Sequence, residues 1–367
     1  MTEAPNPAQM LPDPTAGLEG VVAATTRLSD VDGQNGVLIL RGRKIEDLAG
    51  VVSFEDAVMH LWQDFGFTDA ASMARAFGDA RMTAFDVVPL LEGASSSLDV
   101  YERMQLGLAA LVLNKDLPAP IAISGALPVF LAASHRIATG LKPIAPDAGL
   151  TTAVDLLRML VGDIQPSGYS DALDRYLVTI LDHGLNASTF TARVIGSTQA
   201  DMKQAILGAM GALSGPLHGG APGPVLDMID AIGQPENAAA WITDALDRKE
   251  RLMGFGHRIY RTRDPRADVL KAGLQLLGSE NPKVQLAENI ENEALAALKR
   301  AKPDRPLDTN VEFYTAVLLD AIGIDRSLFT PLFATGRTPG WCAHVLEQQQ
   351  TGKLIRPASQ YVGPKPD

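Results

Sequence analysis

Cysteine is nearly absent: the 367 residues contain one, Cys342. A lone cysteine excludes an internal disulfide framework and any cysteine-built metal cluster, and it fits a reducing cytoplasm. Positive charge is also in short supply. Lys and Arg number 32 against 43 Asp and Glu, a formal net charge of -11. Such a chain lacks the clustered cations that phosphate backbones require, so general nucleic-acid binding is set aside. A local basic pocket for a small anion is not. No apolar stretch runs unbroken for the ~20 residues a membrane helix needs. The longest uncharged run, Leu117–Ala133, is punctuated by Pro118, Pro120, Gly125 and Pro128 and reads as buried helix and turn. The opening MTEAPNPAQMLPDPTAGLEG is acidic and proline-rich, without the apolar centre of a secretory signal. GxxxxGKS/T, HExxH and GxGxxG are all missing, which argues against a phosphate loop, a zincin site and a dinucleotide site. None of the histidines (His60, His135, His183, His218, His257, His344) forms a close metal-ligand pair with another. His183, His218 and His257 could meet around zinc only through the fold.

What is present is 46 % hydrophobic and 20 % charged, ordinary for a globular protein with a core large enough for two domains. Residues 1–16 read as a flexible arm. Val37–Leu40, between Gly36 and Gly42, reads as a strand. Helical spacing dominates afterwards: Phe54, Val58, Leu61, Trp62 and Phe65; then Leu173, Tyr176, Leu177, Ile180 and Leu181; then Val311, Tyr314, Val317, Leu318 and Ile322, stopped at Gly323. Asp201–Leu213 is rich in small residues and predicts a helix that approaches a neighbour closely. The fold is expected to be mostly α, with a minor β element near the start. The closing KLIRPASQYVGPKPD is proline-punctuated and non-helical, either a frayed end or a tail that reaches another subunit.

Chemistry-bearing side chains collect in irregular backbone. In GPLHGGAPGP, His218 sits among four glycines and three prolines, just ahead of a predicted helix whose first turn holds Pro222 and Pro224. A helix N-terminus disfavours an imidazolium, so a neutral ring there could donate to an oxygen gaining charge; capping a tight turn would explain it equally. His257 follows Gly254 and Gly256 and precedes Arg258, Arg261, Arg263 and Arg266, either an anion site or a solvated charged face. His183 extends the apolar face of the helix through Tyr176 and Ile180, with Asn186, Ser188 and Thr189 following. Glu312 is three residues after Thr309, the spacing of a capping box, but a carboxylate at a helix start could also be a general base. Arg337 opens GRTPGWCAHVLEQ, where Pro339 looks like a first-turn proline, and Arg356 lies in the tail. Both suit carboxylate clamping.

The stretches DHGLNASTFTAR, GPLHGGAPGPVLDMI, MGFGHRIYRTRDPRA, NVEFYTAVLLDAIGI, LFTPLFATGRTPGWCAHVLEQ and LIRPASQYVG, with the early GLEGVVAATTRLSDVDGQNGVLILRGRKIEDLA, resemble the motifs of the citrate synthase family, in its order. The length is similar to the shorter dimeric members. The resemblance implies a two-domain helical fold: a large dimerising domain from residues 17–219 and 324–367, and a small one, 220–323, that closes over the substrates. It implies condensation of acetyl-CoA with oxaloacetate to citrate and CoA, with no metal and no permanently bound cofactor, in a cytoplasmic homodimer that contacts neither membrane nor nucleic acid. Carried over, His218 stabilises the enol, Glu312 is the base and His257 polarises the oxaloacetate carbonyl. His183, Asn186, Arg266 and Arg337 bind oxaloacetate, and Arg356 does so from the partner subunit. The loop Leu252, Met253, Gly254, Phe255 and Gly256 passes the adenine of CoA, and Arg261 meets its phosphates. One departure stands out: many members have aspartate where this chain has Glu312, one methylene longer. A 2-methylcitrate synthase using propionyl-CoA would keep the same polar residues, and a weakly catalytic CoA- or dicarboxylate-binding paralogue would accommodate the departure.

Overall fold

The computed structural model describes residues 17–18, 20–113, 115–219, 222–257, 259–278, 281–303, 307–359, 361 and 363–366. The expected arm, 1–16, lies outside them. The predicted strand is one of three. β1 (Ser29–Asp32), β2 (Val37–Leu40) and β3 (Arg43–Lys44) form an antiparallel sheet in that order. Its first turn is built by Asp32, whose Oδ1 accepts the N–H groups of Gln34 and Asn35, with Gly36 in left-handed backbone at φ +64°. Leu38 and Leu40 turn into the core on alternate positions.

Helices make up nearly all the remaining regular structure. Ala119–Ala138 is the central one, packed against Ala70–Phe85, Val100–Ala110, Thr152–Val161 and Phe329–Thr351. The run read as helix and turn is therefore one continuous helix. Pro120 falls in the first turn, where no N–H bond is lost, and Pro128 is accommodated inside. By length and composition alone this helix could cross a bilayer, but 78 % of its most apolar window is buried inside the protein.

Ala187–Ser197 packs on Met202–Leu213. The small-residue face is used as expected, since a β-carbon on Gly208 would collide with Ile195. Pro265–Leu274 lies between Ser167–Thr179 and Val311–Ala321. Gly323, at φ +80°, stops the last of these where predicted. Arg337 does not open a helix. It lies in the middle of Phe329–Thr351, and Pro339 is interior. An interior proline costs about 3 kcal/mol, and burial of this helix against its neighbours offsets it. Trp62 Nε1 donates to the Pro339 carbonyl at 2.9 Å, fixing the segment.

Candidate active site

His183 does not continue the preceding helix. Ser167–Thr179 ends with Ile180 as its C-cap, and His183 lies in the connection beyond, before Gly184 at φ +61°. The connection buries Asp182 and His183, and Asn186 caps the next helix by accepting the Thr189 N–H at 3.0 Å. Asn186 Oδ1 also lies 2.8 Å from the Ser188 hydroxyl, and its buried Nδ2 has no partner among the described residues. His183 Nε2 is 3.1 Å from the Tyr260 hydroxyl, and its ring centroid is 6.0 Å from that of His257. Burial, then Arg266, Arg337 and His257, hold its pKa well below the usual imidazole range.

His218 occupies the turn after Met202–Leu213. Its Nε2 accepts the Ser188 backbone N–H at 3.3 Å and lies 2.7 Å from the Ser188 hydroxyl. A backbone N–H can only donate, so Nε2 is the acceptor and the ring proton sits on Nδ1. Burial first, then Arg337, pushes the ring pKa down to about 4. The predicted helix does begin at Pro222, with Pro224 in its first turn. The N–H that reaches the ring is that of Ser188 at the start of Ala187–Ser197, and burial is the main cause of the depression.

His257 is fixed in the complementary sense. Its Nδ1 accepts the N–H groups of Ile259 and Tyr260 at 3.0 and 3.1 Å, which leaves the proton on Nε2. That nitrogen is 3.4 Å from Arg266 Nη2. Two donors converge on one spot, an arrangement that calls for an anionic or carbonyl oxygen between them. Burial and Arg266 lower the ring pKa to about 4.

The loop carrying His257 is laced to the segment leading to Glu312. Gly256 N–H donates to the Asp308 carbonyl at 2.7 Å and Asn310 N–H to that of Gly254 at 2.9 Å. Asn310 Nδ2 reaches the Gly256 carbonyl at 2.8 Å. Gly254 is at φ +84°, and a β-carbon there would meet Phe313 Cβ at 2.7 Å. The expected capping box is absent. Asn310, not Thr309, caps Val311–Ala321, and the Thr309 hydroxyl donates to Glu291 at 2.6 Å. The Glu312 carboxylate is thus left with no hydrogen bond among the described residues. Burial raises its pKa, against the opposing pull of Arg251 and Arg266.

Arg266 is buried and doubly paired with Asp264, through Nε at 3.0 Å and Nη2 at 2.8 Å. Asp264 also caps Pro265–Leu274 through the Arg266 N–H and accepts the Val311 N–H at 3.1 Å. Arg337, buried, donates Nε to the Ile180 carbonyl and lies 4.6 Å over the Phe333 ring. Burial lowers its pKa to about 10. It acts electrostatically on His183, His218 and Arg266. The other arginines of the basic run separate: Arg263 pairs with Asp268 and Glu291, and Arg258 lies outside the described residues.

A cleft of about 600 Å³ opens beside His257, with Lys249, Arg251, Arg261 and Lys302 on its walls. Leu252, Phe255 and Gly256 line it as well, but Met253 and Gly254 do not. Arg356 is not part of this cluster. It is exposed and borders another cavity, with Leu18, Val21, Thr25, Arg193 and Gln348. Among the described residues no group of three or more His, Cys, Asp or Glu is placed to hold a metal. The sequence reading missed Tyr260 and Asp264 as site residues. Asp264-Pro265 was readable as a helix start; nothing in the spacing marked Tyr260.

A family model described as "Citrate synthase, C-terminal domain" matches residues 17–358. "Putative citrate synthase 2" of Mycobacterium tuberculosis is 41 % identical, covering 95 % of this chain and 93 % of that protein. The "2-methylcitrate synthase" of the same organism is 36 % identical, covering 96 % and 91 %. The structure of a ternary complex of citrate synthase from Thermoplasma acidophilum with carboxymethyl coenzyme A and oxaloacetate superposes with a TM-score of 0.84 at 28 % identity, covering 97 % of each chain. A match over nearly the whole length, in sequence and in fold, makes this chain a member of the citrate synthase family of acyltransferases.

Proposed function

We propose that this protein condenses acetyl-CoA with oxaloacetate to give citrate and free CoA. Glu312 takes a proton from the acyl methyl group. The Nδ1–H of His218 donates to the thioester oxygen as negative charge develops there, and a ring already neutral does so without first losing a proton. Triosephosphate isomerase uses a neutral histidine as electrophile in the same sense. His257 Nε2–H and Arg266 polarise the oxaloacetate carbonyl, and Arg337, His183 and Asn186 complete its pocket. The deprotonated acyl carbon attacks the carbonyl carbon, the oxygen takes a proton from His257, and water then cleaves the citryl thioester to citrate and the CoA thiol. CoA lies along the basic cleft, with the Leu252–Gly256 loop near its adenine and Arg261 near its phosphates. Residues 220–323 form the domain that closes, and Arg356 enters the site of the partner subunit in a cytoplasmic homodimer. No cofactor is permanently bound.

The observation that supports this reading is the Glu312 carboxylate: half-buried, without a hydrogen bond among the described residues, raised in pKa by burial, and under the electrostatic influence of Arg266, the guanidinium that also lies 3.4 Å from His257. Its support outside the chain is the relative whose complex holds a CoA analogue and oxaloacetate. The second reading, condensation of propionyl-CoA, is favoured by the 36 % identical 2-methylcitrate synthase. Thiol release from acetyl-CoA, propionyl-CoA or no acyl donor, each with oxaloacetate, decides. A kcat/KM preference for acetyl-CoA is expected, and one methylene is worth roughly 10- to 200-fold. Preference for propionyl-CoA would transfer the assignment, and binding without thiol release from either donor would leave only a ligand-binding paralogue.

A further inference from the structure

We propose that His344 is a positioning residue: as a neutral ring held by Arg193, it grips Asp182 and so fixes the connection from which His183 projects into the oxo-acid site. His344, Asp182 and Arg193 are all buried, and the condensation uses none of them directly. His344 Nδ1 lies 2.8 Å from Arg193 Nη1. A guanidinium nitrogen can only donate, so Nδ1 is the acceptor and the ring proton sits on Nε2. That nitrogen is 3.1 Å from Asp182 Oδ2 and 3.2 Å from Oδ1, and it donates to the carboxylate. The charge of Arg193 is met by Glu347, 2.7 Å from Nη1, while its Nε donates to Gln348 at 3.0 Å. A second proton on His344 would have to displace the Arg193 hydrogen bond and face that cation.

The backbone is pinned on both sides of His183. Asp182 Oδ2 also accepts the Ser29 hydroxyl at 2.5 Å, and Ser29 Oγ accepts the Gly184 N–H at 3.0 Å. The turn after His183 is thus tied to β1 through the same carboxylate that His344 holds. Before His183, Arg337 donates to the Ile180 carbonyl. Arg337 and His344 belong to one helix, Phe329–Thr351, about two turns apart on one face. The His183 ring is thereby aimed at that of His257, 6.0 Å away by centroids. Without the His344 proton, the Asp182 side chain keeps only the Ser29 hydroxyl among the described residues. A buried carboxylate short of donors is costly, and the connection shifts to find one. The CoA cleft has none of these residues on its walls, so the effect belongs to the oxo-acid side.

This inference rests on the proposed condensation for the identity of the ligand. The test uses the full chain, ring-¹⁵N NMR of the histidines and calorimetric titration of oxaloacetate, with the variants His344→Gln, His344→Asn and Ser29→Ala. The His344 signals, identified by their loss in His344→Gln, should show an unprotonated Nδ1 and a protonated Nε2. Glutamine can return an N–H to Asp182, whereas asparagine, one methylene shorter, reaches only the Arg193 side of the ring's space. His344→Asn should weaken oxaloacetate about tenfold, the size expected for removing a donor from a buried carboxylate, and His344→Gln should stay within about twofold of the parent. The oxaloacetate KM should follow, with the acetyl-CoA KM little changed. Ser29→Ala, a smaller change at a half-buried position, should weaken oxaloacetate about threefold or more through the same carboxylate, and it decides the matter where His344→Asn does not fold. A ring proton on Nδ1 overturns the proposal. So do folded variants with unchanged oxaloacetate affinity, a glutamine variant as weak as the asparagine one, or a loss shared equally by the acetyl-CoA KM. A parent that binds oxaloacetate without releasing thiol overturns the condensation reading alone, because the affinities still decide the role of His344. A parent that does not bind oxaloacetate overturns both.

Discussion

Glu312 combines two properties that rarely coincide at a helix start. It lies in the first turn of Val311–Ala321, where a carboxylate ordinarily rests in a cap, yet Asn310 does the capping and burial raises the Glu312 pKa. The sequence spacing of a capping box was real, but a buried alternative acceptor, Glu291, captured Thr309. Glu312→Gln should lower kcat about 10²- to 10⁴-fold, the usual worth of a general base, with oxaloacetate affinity retained. Unchanged turnover in steady-state assays would remove Glu312 from the mechanism. The pH profile follows from the same shifts. The base must be ionised, so kcat/KM should fall as pH drops through the Glu312 pKa, which burial holds above the ordinary carboxylate value. Burial lowers the pKa of His218 and His257, so neither ring gains a proton near neutral pH. The irregular setting of His218 is legible in the chain, but the burial that keeps it neutral and the tautomers are not. The tautomers depend on Ser188 and on the backbone N–H groups of residues 259 and 260, which no spacing rule brings to a ring nitrogen.

Individual helices and turns were largely readable, because period and punctuation are local. What joins them is not. Asp264 connects two helices through one carboxylate, capping Pro265–Leu274 and accepting the Val311 N–H that starts the Glu312 helix, while it pairs with Arg266. Asp264→Asn leaves a buried guanidinium uncompensated and should cost about 3–5 kcal/mol in chemical denaturation. An effect below ~1 kcal/mol, the range of surface pairs, would show that Arg266 finds another partner. The β1–β2 turn supplies a second junction. The Arg261 N–H donates to the Gly33 carbonyl at 2.7 Å, and a β-carbon on Gly33 would collide with the Ile259 carbonyl. That close approach presses the turn onto the segment holding His257 and Tyr260. Gly33→Ala should displace this segment and raise the oxaloacetate KM about tenfold, within the 1–3 kcal/mol typical of overpacking. A KM equal to that of the parent would show that the turn gives way instead.

At the scale of the molecule, Arg356 is the residue that its own chain leaves out. It is exposed beside Leu18, Val21, Thr25 and Gln348, apart from the cluster of His183, His257 and Arg266. If it serves a partner's site, two inactive chains should complement each other. Mixing Glu312→Gln with Arg356→Ala subunits after joint refolding should restore thiol release, because one site per mixed dimer regains both groups. No gain over the separate variants would place Arg356 outside catalysis. The mostly helical fold, the early strand and most helix limits were legible in the sequence alone. Periodicity, caps and glycine-rich breaks act within a few residues of where they are written. The continuity of Phe329–Thr351 through Pro339, the escape of Glu312 from its cap, the tautomers of His218 and His257 and the roles of Tyr260 and Asp264 were decided only by tertiary structure. Each depends on a donor, acceptor or packing surface from a distant part of the chain, and the energy of such a contact has no signature in local sequence.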